Sequence, residues 1–178
     1  IDERGELVTI PAYRWNRYIV VPNDHELTHV DEVTLPLLTE FPILTYMLGL
    51  TGRSQLDKAF LQANLEPKVA FTATDSDVIK TYVRLGMGVG IIAEMACSEK
   101  DSDLSYIDAS HLFPNSVIKI GFRHSRHLSA YQTDFLHMMA PYLDEETIRQ
   151  VIDSKSAQSR ERLIENAEVP SFRELKKN

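Results

Sequence analysis

Cysteine is almost absent: Cys97 is the only one in 178 residues. No disulfide can form within the chain, which suits a reducing compartment. Basic residues are outnumbered 19 to 26, for a formal charge of -7, and an acidic chain is poorly suited to gripping phosphate backbones by itself. No apolar run approaches the roughly 18 residues needed to span a membrane. No basic start followed by an apolar core marks a secretory signal. Catalytic signatures are missing too. There is no GxxxxGK(S/T), which disfavours a phosphate-loop NTPase, and no G-x-S-x-G elbow to point to a hydrolase. His124-Ser125-Arg126-His127 has no second ligand cluster to complete a metal site and reads as a solvated loop. Nothing basic adjoins Cys97 in the sequence to activate it, so it reads as a structural thiol. The chain starts at Ile1 rather than Met, and is expected to be a piece of something longer.

What is there is a core. At 43% hydrophobic and 25% charged, the chain suits one globular domain or two small lobes. Residues 41–93 organise it: three short apolar runs alternate with two helical patterns, the layout of a parallel α/β unit. Before them, Leu7 to Ile10 is a short apolar run ended by Pro11, and residues 17–21 read as a strand closed by Pro22-Asn23-Asp24. Thr34 to Glu40 reads as a short helix with Thr34 as its cap. Strands are expected over Phe41–Met47, Val69–Ala73 and Met87–Ala93. Between them lie a helix from about Ser54 to Ala63 and a second that opens on Thr74–Asp77 and carries Val78, Ile79, Tyr82, Val83 and Leu85. Ser54/Asp57 and Thr74/Asp77 both have capping-box spacing. Asn64 and Gly86 are placed to end the helices in left-handed conformations. Gly86-x-Gly88-x-Gly90 follows a helix and enters a strand, the reverse of the dinucleotide-binding context, so it reads as a helix cap and close strand packing. Further strands are expected at 104–107 and 117–122, and a helix from about Leu128 to Leu143 carrying Tyr131, Phe135, Leu136 and Met139 on one side. Residues 144–178 turn polar and are expected to form one or two solvated helices with a frayed end.

The candidate chemistry sits at the helix starts. In Thr51-Gly52-Arg53-Ser54, unpaired N–H groups along a helix axis would favour an anion, hydroxyls add neutral donors, and Gly52 lets a ligand approach the backbone. The turn from Thr72 to Ser76, with Thr74 and Asp75, leads into the second helix and has the same chemistry. If the preceding strands are parallel, both turns open at the same sheet edge, where ligands of such sheets sit. Ordinary capping explains the same residues and stays open beside the ligand reading. Asp75 and Asp77 read as helix-start residues rather than a paired acid and base. Trp15 either packs a core edge or walls a pocket. An α/β enzyme for a small anionic metabolite is the alternative to a binding module, but no nucleophile or base volunteers. A secreted solute-binding protein is disfavoured by the missing signal.

The segments TYMLGLTGRSQLD, FTATDSDVIKTYVRLGMGVGIIAEMA and YRWNRYIVVPNDHEL resemble the effector-binding domain of LysR-type transcriptional regulators, from near residue 5 to about residue 143. Within that family they are most similar to the CysB/Cbl-like branch, activators of sulfur assimilation and cysteine biosynthesis. The resemblance implies two Rossmann-like α/β lobes joined by two crossover strands, as in periplasmic binding proteins. Residues 1–11 would be a crossover segment, 12–115 lobe II, 116–143 the return into an incomplete lobe I, and 144–178 a polar helical tail. It also implies a small anionic effector, acetylserine or sulfate, bound between lobes at helix N-termini. Thr51 and Gly52 would lie at that site. Tyr13 and Trp15 would be the aromatic pair near the crossover, and Thr72, Thr74 and Asp75 the cleft edge. No catalytic residue, metal or cofactor is implied. The full-length protein would be cytoplasmic, a homo-oligomer (a tetramer), and would reach DNA only through an N-terminal winged helix-turn-helix absent from this chain.

Overall fold

The computed structural model describes residues 7–50, 52–123, 128–154, 156–165 and 167–176. The chain divides into two compact units: Trp15–Ser116, and Ile1–Arg14 with Val117–Asn178.

The Trp15–Ser116 unit is built on a sheet of β2 (Arg17–Pro22), β3 (Ile43–Tyr46), β4 (Val69–Ala73), β5 (Val89–Ala93) and β6 (Leu104–Asp108). Their order is β4-β3-β5-β2-β6. β3 runs parallel to both β4 and β5, while β2 is antiparallel to β5 and β6. Successive residues face opposite sides of a strand. Ile19, Val21, Ile43, Val89 and Ile91 therefore share one core with α1 (Leu35–Leu38) and α2 (Arg53–Gln62), which contribute Leu38, Leu56 and Phe60. Val20, Leu44 and Ile92 face the other way, onto Ile79 and Val83 of α3 (Ser76–Arg84). Burial on both faces explains why these strands read as apolar runs rather than as alternating patterns.

The expected strands and helices of this unit form, with ends shifted by one or two residues, as fraying allows. Two details differ. Ser54 does not cap α2: the N-cap is Gly52 at φ 81°, without a side-chain cap, and Asp57 instead accepts from Arg53 Nε at 2.8 Å. Nor does Thr74 cap α3; Asp75 does, accepting from the Asp77 N–H at 2.7 Å. A 3-10 turn at Glu26–His29 was not foreseen. The glycine run has its expected structural role: Gly86 ends α3 at φ 72°, and a Cβ on Gly90 would lie 2.4 Å from Val20 Cγ1.

In the other unit, β1 (Leu7–Trp15) pairs with β7 (Ser116–Arg123) in a two-stranded sheet. Pro11 does not end β1, because a strand in so narrow a sheet has an edge on which a missing N–H costs no ladder bond. Helix α4 (Ala130–Met139) is shorter than expected; Ala140 leaves helical geometry before Pro141, as residues preceding proline tend to. Of its expected apolar side only Leu136 is buried, while Tyr131 and Phe135 are exposed. After it come α5 (Glu145–Asp153), α6 (Ala157–Ile164) and α7 (Phe172–Leu175). They are not simply solvated: Ile148 and Val151 are fully buried with Val8, Ile10, Leu136, Ala140 and Leu143.

Candidate functional site

Because β3 and β4 are parallel, the turns before α2 and α3 open at the same end of the sheet, and the Met47 N–H donates to Ala73 O at 3.0 Å across it. The two helix starts differ in charge. α3 begins with Asp75 as cap and Asp77 in its first turn, so its N-terminal partial charge is answered by carboxylates of its own. α2 has no acidic residue in its first turn and no side-chain cap. Its N-terminus is the more electropositive of the two.

Arg17 adds to this. Its side chain is 3% exposed, yet among the described residues its hydrogen-bond acceptors are all uncharged: Gly52 O at 2.9 Å, Ser116 Oγ at 3.1 Å and Pro114 O at 3.2 Å. The guanidinium stacks over Trp15, 5.1 Å from the ring centroid, and lies 5.9 Å from that of Phe113. Burial pushes its pKa down to about 10, so it remains charged at neutral pH. Gly52 is held close beneath it: a Cβ there would lie 3.1 Å from Trp15 Cη2.

Trp15 and Gly52 thus come together, with Arg17 between them. Trp15 is 2% exposed and behaves as a packed wall rather than an open one. Tyr13 packs on Phe172 of α7, ring centroids 5.6 Å apart. Thr72, Thr74 and Asp75 are exposed, and the Asp75 carboxylate is engaged as a cap. Thr51 and the His124–His127 motif lie outside the described residues.

Sequence reasoning missed Arg17 and Tyr46. The Tyr46 hydroxyl accepts from the Ala93 N–H at 3.1 Å. Its carbonyl accepts from Arg53 Nη1 at 3.1 Å. Burial raises the Tyr46 pKa. A basic residue opening a strand beside a lone tryptophan was the available signal for Arg17.

The other unit contains a cavity of about 400 Å³ lined chiefly by Ile120, Phe122, Leu128, Tyr131, Phe135 and Leu136. Its apolar walls offer little to an anion. Among the described residues no group of three or more His, Cys, Asp or Glu could hold a metal, and no helix is long and apolar enough to cross a membrane.

A family model described as LysR substrate binding domain matches residues 2–144. The chain belongs to that family. It is 46% identical over 164 residues to the HTH-type transcriptional regulator CysB of Haemophilus influenzae, covering 92% of this chain and 51% of that protein. It is 44% identical over 149 residues to the regulator SsuR of Burkholderia cenocepacia, covering 83% and 48%. The chain therefore spans about half the length of the curated relatives it matches. Among solved structures, the cofactor-binding domain of the Cbl transcriptional regulator superposes with a TM-score of 0.78 at 38% identity, over 85% of this chain and 68% of that one. The effector-binding domain of QuiR in complex with shikimate, at 15% identity and TM-score 0.67, shares the fold. The LysR family and these relatives are transcriptional regulators, not enzymes, which removes the ground for the enzyme alternative. The fold is the α/β architecture of LysR effector-binding domains, as the motifs implied.

Proposed function

We propose that this chain is the effector-sensing part of a LysR-type activator of sulfur assimilation and cysteine biosynthesis, and that it binds sulfate-like anions or an acetylserine-type inducer at the N-terminus of α2. The observation that carries this reading is the α2 turn itself: an N-terminus free of acid in its first turn, backed by a buried arginine whose hydrogen-bond partners among the described residues are all neutral. An anion there gains from the helix dipole and from a cation in low-dielectric surroundings. The sulfur-related kinship, CysB and SsuR, supports this choice of ligand. Thr51 and Gly52 are the proposed ligand contacts in this reading, and Trp15 backs Gly52. Tyr13, Thr72, Thr74 and Asp75 are proposed contributors at its margins. The whole protein would act in the cytoplasm as a homo-oligomer, a tetramer, and contact DNA through a domain that precedes this chain. Ligand binding would act by biasing one arrangement of the domain over another.

Sulfate and O-acetylserine, each titrated into the full-length protein, are expected to raise its unfolding temperature as mass action requires. Thr51→Ala should weaken that response. If neither ligand shifts the transition, or if Thr51→Ala binds both as tightly as wild type, the reading fails for those ligands or for that residue.

A further inference from the structure

We infer that Arg17 is a positioning residue that couples the α2 turn to both points at which the chain leaves the Trp15–Ser116 unit. This rests on the ligand reading of the α2 turn given above. The chain crosses the boundary of this unit twice, at Arg14/Trp15 and at Ser116/Val117. Arg17 stands two residues inside the first crossing and bonds the last residue before the second. One nitrogen, Nη2, is shared between Gly52 O (2.9 Å) and Ser116 Oγ (3.1 Å), and Nη1 holds Pro114 O (3.2 Å). The same guanidinium lies over Trp15, the residue at the first crossing.

Asn16 doubles the connection. Its Nδ2 donates to Phe113 O at 3.1 Å and to Asn115 Oδ1 at 2.9 Å, and its Oδ1 accepts from the Arg17 N–H at 2.7 Å. Segments at 15–17, 52 and 113–116 are thus fastened to one buried cation. Fastening alone would not need a charge. Burying a guanidinium among neutral acceptors is costly, and an apolar side chain would pack the same space more cheaply. The planar fork explains why the residue is arginine: it aims several N–H groups in fixed directions, which lysine cannot do. Because Nη2 is shared, a shift of the Gly52 carbonyl on anion binding alters its bond to Ser116.

Hydrogen–deuterium exchange on the full-length protein tests this, in wild type and Arg17→Lys, with and without sulfate. Without sulfate, Arg17→Lys should speed exchange about fivefold, the loss expected for one hydrogen bond, in residues 53–56 and 112–116 together, and leave 79–84 unchanged. With sulfate, wild type should gain protection in both segments. Arg17→Lys should gain it in 53–56 alone. Equal sulfate protection of 112–116 in both proteins overturns the coupling, as does anion-free loosening of only one segment. A wild type that ignores sulfate refutes the proposed ligand instead, and the anion-free comparison still decides whether Arg17 fastens the two segments. If Arg17→Lys does not fold, Ser116→Ala removes one acceptor while retaining the charge and the Gly52 bond, and the same comparison applies to it.

Discussion

Arg17 Nη2 donates to the carbonyl oxygen of Gly52 at 2.9 Å, and a Cβ on Gly52 would lie 2.3 Å from that same nitrogen. The contact and the missing side chain depend on each other. At φ 81° any L-residue would also be strained. Gly52→Ala is expected to destabilise the protein by roughly 1–3 kcal/mol in urea unfolding. Combined with Arg17→Met, which removes the clashing fork, its cost should fall. A double-mutant cycle that gives strict additivity would show that the two residues do not share this space.

A second prediction concerns Tyr46, at the carboxyl end of β3 between the starts of both helices. Tyr46→Phe deletes the acceptor of the Ala93 N–H. The expected loss is about 1–2 kcal/mol, since a part-buried donor is left without its bond. Thermal unfolding of the variant measures it, and an unchanged midpoint would mean that water replaces the hydroxyl at no cost.

The parallel unit was legible because alternating strand and helix periods leave few other folds, and β-branched runs bounded by Gly, Pro and Asn located its edges. Cap assignments were less reliable. Ser54 and Asp57 have the spacing of a capping box, but Arg53 captures Asp57 and the helix begins on a left-handed glycine. The spacing records only which groups could meet, not which competitor wins. Arg17 was read simply as the first residue of a strand. What makes it unusual, burial beside residues 35 and 99 positions away in sequence, is tertiary and leaves no local mark.

A third prediction concerns acid. Lys80, 5% exposed, bridges Asp77 at 2.8 Å and Asp101 at 3.0 Å, and Arg84 holds Asp101 and Asp103. Hydrogen bonds from Tyr106 and Arg84, then Lys80, hold the Asp101 carboxyl well below the usual carboxylate range. A depressed folded-state pKa gives stability that is complete above the unfolded value, about 3.9, and lost as pH falls from there through the folded value. Asp101→Asn should therefore cost roughly 1–3 kcal/mol at pH 7 and flatten the decline in stability below about pH 4. A variant whose stability falls as steeply with acid as wild type would assign that decline to other carboxylates.

The last prediction concerns the tail. Residues 144–178 contain few apolar positions, which is why they read as solvated. Ile148, Val151 and Ile152 nevertheless stand at i, i+3 and i+4, the spacing of one helix face. Asp144 caps α5 by accepting from the Thr147 N–H at 2.7 Å, and Glu145 and Glu146 suit its N-terminus. The face they support closes the core over Val8 and Ile10 of β1. Further along, the chain returns to β1, where the Arg14 N–H donates to Pro170 O at 2.8 Å. Ile148→Ala should cost about 2–4 kcal/mol, as truncation of a fully buried isoleucine does. Glu145→Ala, on the exposed side, should stay within about 0.5 kcal/mol. Chemical denaturation of the two variants separates a structural tail from a solvated one: equal, small effects would mean that α5 contributes nothing to this core.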